Sequence, residues 1–249
     1  MSRGAATLIA VLVLAFFAFL IARAPATMVA QAAQDAAPAL SLDGVTGTAW
    51  RGRAAHARWR GIPLGTVDWR LSAGALLGGA ARAHVVVGGA ELTLDAVVSQ
   101  ALFGDRLRVT NADGIAPLAF LSRVSGARGP LEGTVVLVDV SLTIEGERVV
   151  AAEGRAVLRD TVVTVQQRAE LGAFTLDLSA HEGWLQGEVS DDGGPLGIAG
   201  FVRAAPDRRW ELDARVRARD RAGNLALVLS LLGTPADDGY HPLRLSGRY

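Results

Sequence analysis

The chain has 249 residues, 25 basic and 25 acidic side chains, and no cysteine. Balanced charge excludes the basic excess with which a general nucleic-acid binder displaces counterions. The lack of thiols excludes disulfides, zinc–thiolate sites and a cysteine nucleophile, and because every basic residue is arginine a lysine-bearing phosphate loop is excluded too.

The first element is the run AATLIAVLVLAFFAFLIA, Ala5–Ala22, which holds no charge. As a helix rising ~1.5 Å per residue it would be about 27 Å long, close to the hydrocarbon thickness of a bilayer. Arg3 and Arg23 flank it, so charge bias says little about orientation. Ala22-Arg23-Ala24 resembles a signal-peptidase site. However, the apolar run is longer than the usual signal-peptide core, and Pro25 would follow the cut. The reading is therefore an uncleaved transmembrane anchor, residues 1–23, with the rest of the chain exported. Residues 24–39, Ala/Gln-rich and bounded by prolines, read as a linker or a frayed continuation of that helix.

From residue 40 onward the texture is β. Short segments alternate apolar and polar residues between Gly, Asp and Asn turns. In GTAWRGRAAHARWRG, alternation sets Trp50 against Arg51 and Arg53, and Trp59 against Arg58 and Arg60. Tryptophans inward and arginines outward are the faces of opening strands. A stacking platform for nucleic acid needs both on one surface. Next, TVDWRLS groups Val67, Trp69 and Leu71, and AELTLDAVV groups Leu92, Leu94, Ala96 and Val98. GTVVLVDVSLTI, RAVLRDTVVTV, AFTLDLS, WLQGEVS and IAGFVRA follow as strands. WELDARVRAR has the longest alternation, Trp210 to Ala218 on one face and Glu211 to Arg219 on the other. Turn signals are Gly88-Gly89, Glu145-Gly146-Glu147, Asp192-Gly193-Gly194 and Pro206-Asp207. Two short helices are expected, Ala116–Val124 and Asn224–Gly233. One constant offset pairs Gly47 with Gly154, Gly65 with Gly172 and Leu71 with Leu178; either two similar strand sets lie end to end in one sheet, or the match is chance in a chain so rich in Gly, Ala and Leu.

No chemistry emerges. His56, His84, His181 and His241 lack metal-ligand spacing, and no G-x-S-x-G elbow occurs. DDGGPLG, Asp191–Gly197, lacks the spaced carboxylates of a calcium loop and reads as a turn. Arg215, Arg217, Arg219 and Arg221 would share one strand face. Such a ridge suits an anionic partner or a solvated, aggregation-guarded strand, and Glu211 and Asp213 on the same strand favour the latter. The chain is read as not an enzyme, with no catalytic, cofactor or metal residue nominated and its binding residues left open.

LSLDGVTGTAWRGRA, LGTVDWRLSAGALLGG, LGAFTLDLS, DDGGPLGIAG and LSLLGTPADDGYHPLRLSGR, in this order after an apolar N-terminus, resemble the protein N family of the bacterial type II secretion system. The resemblance implies an inner-membrane, periplasm-facing accessory component without catalytic residues. Its partners would be other secretion components, at the inner membrane and at the outer-membrane secretin. It also extends to AsmA-like proteins, whose antiparallel sheets curl into a groove, and so brings a rival expectation of lipid held in such a groove. The expected fold class is thus mainly β. A curved, AsmA-like antiparallel sheet with one or two short helices forms a periplasmic domain, residues 40–249, behind a single transmembrane helix.

Overall fold

The structure, a computed structural model, describes residues 23–125, 131–146, 148–164, 168–205, 207, 209–219, 225, 229 and 235–248. Thirteen strands form one antiparallel sheet in which spatial order follows chain order and the first and last strands are not paired. They are β1 (Leu40–Gly47), β2 (Arg51–Trp59), β3 (Ile62–Leu71), β4 (Ala80–Gly88), β5 (Thr93–Ala101), β6 (Arg106–Pro117), β7 (Leu131–Glu145), β8 (Arg148–Thr164), β9 (Arg168–His181), β10 (Trp184–Asp191), β11 (Leu196–Ala204), β12 (Arg209–Ala218) and β13 (His241–Arg248). Among the described residues, helix α1 (Ala26–Ala36) precedes the sheet, α2 (Ala73–Leu77) joins β3 to β4 and α3 (Leu118–Ser125) follows β6. The apolar run Ala5–Ala22 lies outside the described residues. Among those described, no helix is long and apolar enough to cross a membrane.

The period-two reading of β12 matches its burial: Ala214 and Val216 are buried, while Glu211, Asp213, Arg215 and Arg217 are exposed. The described residues of all four turn signals fall at the end of a strand or between consecutive strands. The helix expected at Ala116–Val124 forms as α3, with Pro117 ending β6 and Phe120 buried. Of the one expected at Asn224–Gly233 only Leu225 and Leu229 are described. Both are helical and packed with Leu171, Phe174, Leu196 and Val216. This cluster covers one face of β9, β11 and β12. A second cluster covers the same face of β1–β4, where α1 presses Ala26 and Ala30 against Ala54 and Trp69. Residues 26–36, expected as linker or frayed helix, thus form a helix whose small residues let it lie close to the sheet.

Trp69 is the tryptophan that organises this first cluster. It is 5% exposed, and its indole N–H donates to the Ala49 carbonyl at 3.3 Å. Its ring lies over Gly52. A Cβ there would sit 2.3 Å from Cζ2, 2.5 Å from Cε2 and 2.9 Å from the Ala26 Cβ. Trp59 is half-buried at the end of β2, as alternation implies. Trp50 is not in a strand: it sits half-buried in the β1–β2 turn, where its carbonyl accepts from Leu71 N–H at 2.9 Å. The turn glycines around it end the alternation one residue before Arg51.

The offset seen in sequence has a geometric counterpart. In the β2–β3 pair the register passes from Ala54↔Val67 to Ala57↔Gly65. In β8–β9 it passes from Leu158↔Phe174 to Thr161↔Gly172. Both are bulges of the same shape. Gly65 and Gly172 share a left-handed φ, +105° and +101°. Each also abuts a glycine of the next hairpin: a Cβ at Gly65 would lie 2.3 Å from the Gly88 oxygen, and one at Gly172 2.9 Å from the Gly194 Cα. Asp160, with φ of 52°, sits inside the β8 bulge, and two further strands, β6 and β7, carry bulges marked by Asn111 and Asp139, with φ of 50° and 47°. Asn and Asp tolerate this conformation better than other side chains. Each bulge bends its strand and raises the local twist.

Candidate functional site

The described residues offer surfaces rather than a pocket with converging catalytic groups. Among them no group of three His, Asp or Glu side chains could hold a metal ion. His84 is taken up by Asp95, 2.6 Å away, and His181 lies beside Glu182 at 3.9 Å. His56 is exposed on β2, and His241 is half-buried at the start of β13.

The outer face carries the arginines and pairs several of them with acids across strands. Arg58 pairs with Asp43 at 3.5 Å, Arg106 with Glu145 at 2.6 Å, Arg155 with Asp177 at 2.8 Å and Arg244 with Asp213 at 3.3 Å. Exposed pairs of this kind contribute little stability each, about 0–1 kcal/mol. They do keep a wide strand face soluble. The expected ridge is shorter than alternation suggests. Arg215 and Arg217 share the face and both stack on Tyr240, at 5.5 and 4.7 Å from its ring centre. The strand ends at Ala218, and Arg221 lies outside the described residues.

Arg219 instead turns back to bind Asp191 and donates to the Gly194 carbonyl at 2.6 Å. Asp191 also accepts from the Gly193 N–H at 3.0 Å and the Ile198 N–H at 3.1 Å. Burial raises the Asp191 carboxyl pKa. The Arg219 guanidinium and the two backbone donors outweigh that and hold it below the ordinary carboxylate range. The segment DDGGPLG is therefore a turn locked by an internal carboxylate. Asp191 and Arg219 lie 28 residues apart, and no local pattern announces their pairing.

The two sheet edges differ. On β1 the outward N–H of Leu40 donates to Ala37 O at 2.8 Å, and that of Leu42 to the Gln34 side chain at 3.2 Å, so α1 partly closes this edge. β13 pairs only with β12 and carries Pro242, Arg244 and Arg248. Proline and charge are common guards of an open edge against indiscriminate pairing.

At the end of the sheet holding the β1–β2 turn, Arg51 stands cross-strand from Arg70, which stands cross-strand from His84. With Arg53 and Asp68 they line a hollow of about 510 Å³. Like charges placed opposite one another cost stability, so this corner is built differently from the neutralised rows.

The family described as "Type II secretion system (T2SS), protein N" matches residues 38–244, from just before β1 into β13. The chain belongs to this family. It is also 45% identical over 49 residues to "Type II secretion system protein N" of Vibrio cholerae serotype O1, a stretch covering 20% of this chain and 19% of that protein. No solved structure matches the chain. Membership associates the protein with type II secretion and with the cell envelope. It lends no support to the lipid-groove expectation, and the apolar sheet face is covered at both ends, by α1 and by Leu225 and Leu229.

Proposed function

We propose that the protein is an accessory inner-membrane component of type II secretion, supporting export of folded proteins across the outer membrane through contacts in the periplasm. The supporting observation is that the family match runs from β1 into β13 rather than over a single motif. In this reading residues 1–23 anchor the chain once in the inner membrane and the sheet works in the periplasm. Anchoring raises the local concentration of the sheet beside other inner-membrane components. The contacts are made by the guarded β13 edge and by the charged outer face, with main-chain pairing supplying affinity and side chains selecting the partner. The partners are other secretion components, and the outer-membrane secretin is the furthest of them. Photo-cross-linking from Arg244 and Arg215 positions in the native host, read by mass spectrometry, tests this. Adducts with secretion components are expected; adducts with lipid alone would count against it.

A further inference from the structure

We propose that one end of the sheet, at strands β1–β6, is seated on a lipid bilayer surface. This rests on the anchor reading above and adds to it the part of the fold that touches the membrane. The first observation is how little chain separates the apolar run from the fold. Ala24 O already accepts from Ala49 N–H at 2.7 Å, and Pro25 bridges to Thr48. Arg23 alone lies between Ala22 and these contacts. One to three residues span at most about 10 Å, whereas the headgroup layer is about 5–8 Å deep on each side of the hydrocarbon. The sheet end that receives the chain is thereby held at the bilayer surface.

Second, the meander returns the β3–β4 and β5–β6 connections to this same end. Leu71 N–H bonds to Trp50 O at 2.9 Å, and Leu102 N–H to Gly79 O at 3.0 Å. These two adjacent loops hold the most exposed large apolar side chains of the described residues, Leu77 at 93% and Phe103 at 90%, with Leu102 at 49%. At about 4.8 Å per strand the β3–β4 loop stands roughly 10 Å from the entry point and the β5–β6 loop roughly 20 Å.

Third, the outer face beside the loops carries exposed Arg51, Arg70, Arg82 and Arg108, which form no ion pair among the described residues. The acidic groups nearby are Asp105, the Glu145 bound to Arg106, the Asp68 beside Arg53 and the Asp95 bound to His84. Further along the same end the β9–β10 turn presents Glu182, and Arg209 stands cross-strand from Arg248, so what marks the entry side is that its cations lie beside the exposed Leu77 and Phe103. Apolar side chains beside unneutralised cations suit an interface of acyl chains and anionic headgroups.

The cysteine-free chain permits a direct test. Full-length protein carrying Phe103→Cys or Leu77→Cys, each labelled with an environment-sensitive dye, is reconstituted in phosphatidylcholine vesicles with a minor share of phosphatidylglycerol. Emission is compared with and without lipids bearing a nitroxide near the top of the acyl chain. Ala90→Cys, at the opposite end, is the reference, and Val11→Cys reports the anchor. Loss of emission at 77 and 103 but not at 90 is expected. In a Leu102→Cys chain, the further changes Leu77→Ser and Phe103→Ser should clearly weaken the quenching, and quenching undiminished by both would overturn the seating of these loops. Quenching at 11 with none at 77 or 103 overturns the proposal while the anchor stands; no quenching at any of the three overturns both. Dyes at 77 and 103 shielded from aqueous iodide yet unquenched by nitroxide lipid would assign the loops to a protein, a second copy included, and also overturn it.

Discussion

Gly52→Ala adds one methyl group to the outer-rim residue on which Trp69 rests. The added Cβ would lie 2.3 Å from the indole and 2.9 Å from Ala26, so the ring and α1 must both give way. Overpacking of this kind costs about 1–3 kcal/mol. The φ of Gly52 is not left-handed, so alanine suits the backbone and restores about 0.4–1 kcal/mol by restricting the unfolded chain. The net expectation is a loss of about 1–2 kcal/mol. Trp69→Leu removes the ring and leaves only the Ala26 contact, so in that background the same Gly52→Ala change should cost distinctly less. The coupling between the two positions should then be about 1–3 kcal/mol, well outside the additivity of distant sites. Urea unfolding of the four purified full-length proteins, followed by far-ultraviolet circular dichroism, measures it. Additive losses, or an unchanged midpoint for Gly52→Ala alone, would refute the packing of Trp69 on Gly52.

Trp69→Ala should cost about 3–5 kcal/mol, as expected for a buried aromatic, and Trp50→Ala distinctly less, because Trp50 occupies a turn; equal losses in the same unfolding assay would contradict this. Gly65→Ala and Gly172→Ala should each cost more than 1 kcal/mol, since both meet backbone at φ near +100°, and an unchanged midpoint in either would break the structural repeat. Asp191→Asn should cost about 1–2 kcal/mol at neutral pH by weakening the Arg219 and backbone bonds. The folded Asp191 carboxyl titrates below its unfolded value of about 3.9. Its contribution is therefore full above that pH and fades as the pH falls through the folded pKa. The stability gap between native chain and Asp191→Asn should then close below about pH 3.9; a gap constant down to pH 2 would show that the carboxylate charge is irrelevant.

Strands with unbroken alternation were legible from the sequence. β12 is the clearest, because one of its faces is buried or half-buried along its length and the other is solvated. Bulges limit that legibility. In β6 the phase set by Leu107 and Val109 slips at Asn111, so Ala112 and Ala116 take over the buried face and no single alternation covers the strand. β4 hides for another reason: Val85, Val86 and Val87 fill both faces. α1 resembled a linker because its contact residues, Ala26 and Ala30, are small; their value is close approach, which hydrophobic periodicity undercounts. The surfaces were only half legible. Arginine outward and tryptophan inward follows from alternation, but Asp191 with Arg219, and the convergence of Leu77 and Phe103 at the chain's entry point, depend on register across the sheet.

The most direct test of the account is deletion of this chain in its own host. Culture-medium levels of a folded type II substrate are measured together with the abundance of the other inner-membrane secretion components. The account predicts substrate retained in the periplasm or loss of those components, with both restored by the full chain. Unchanged secretion together with unchanged component levels would contradict it.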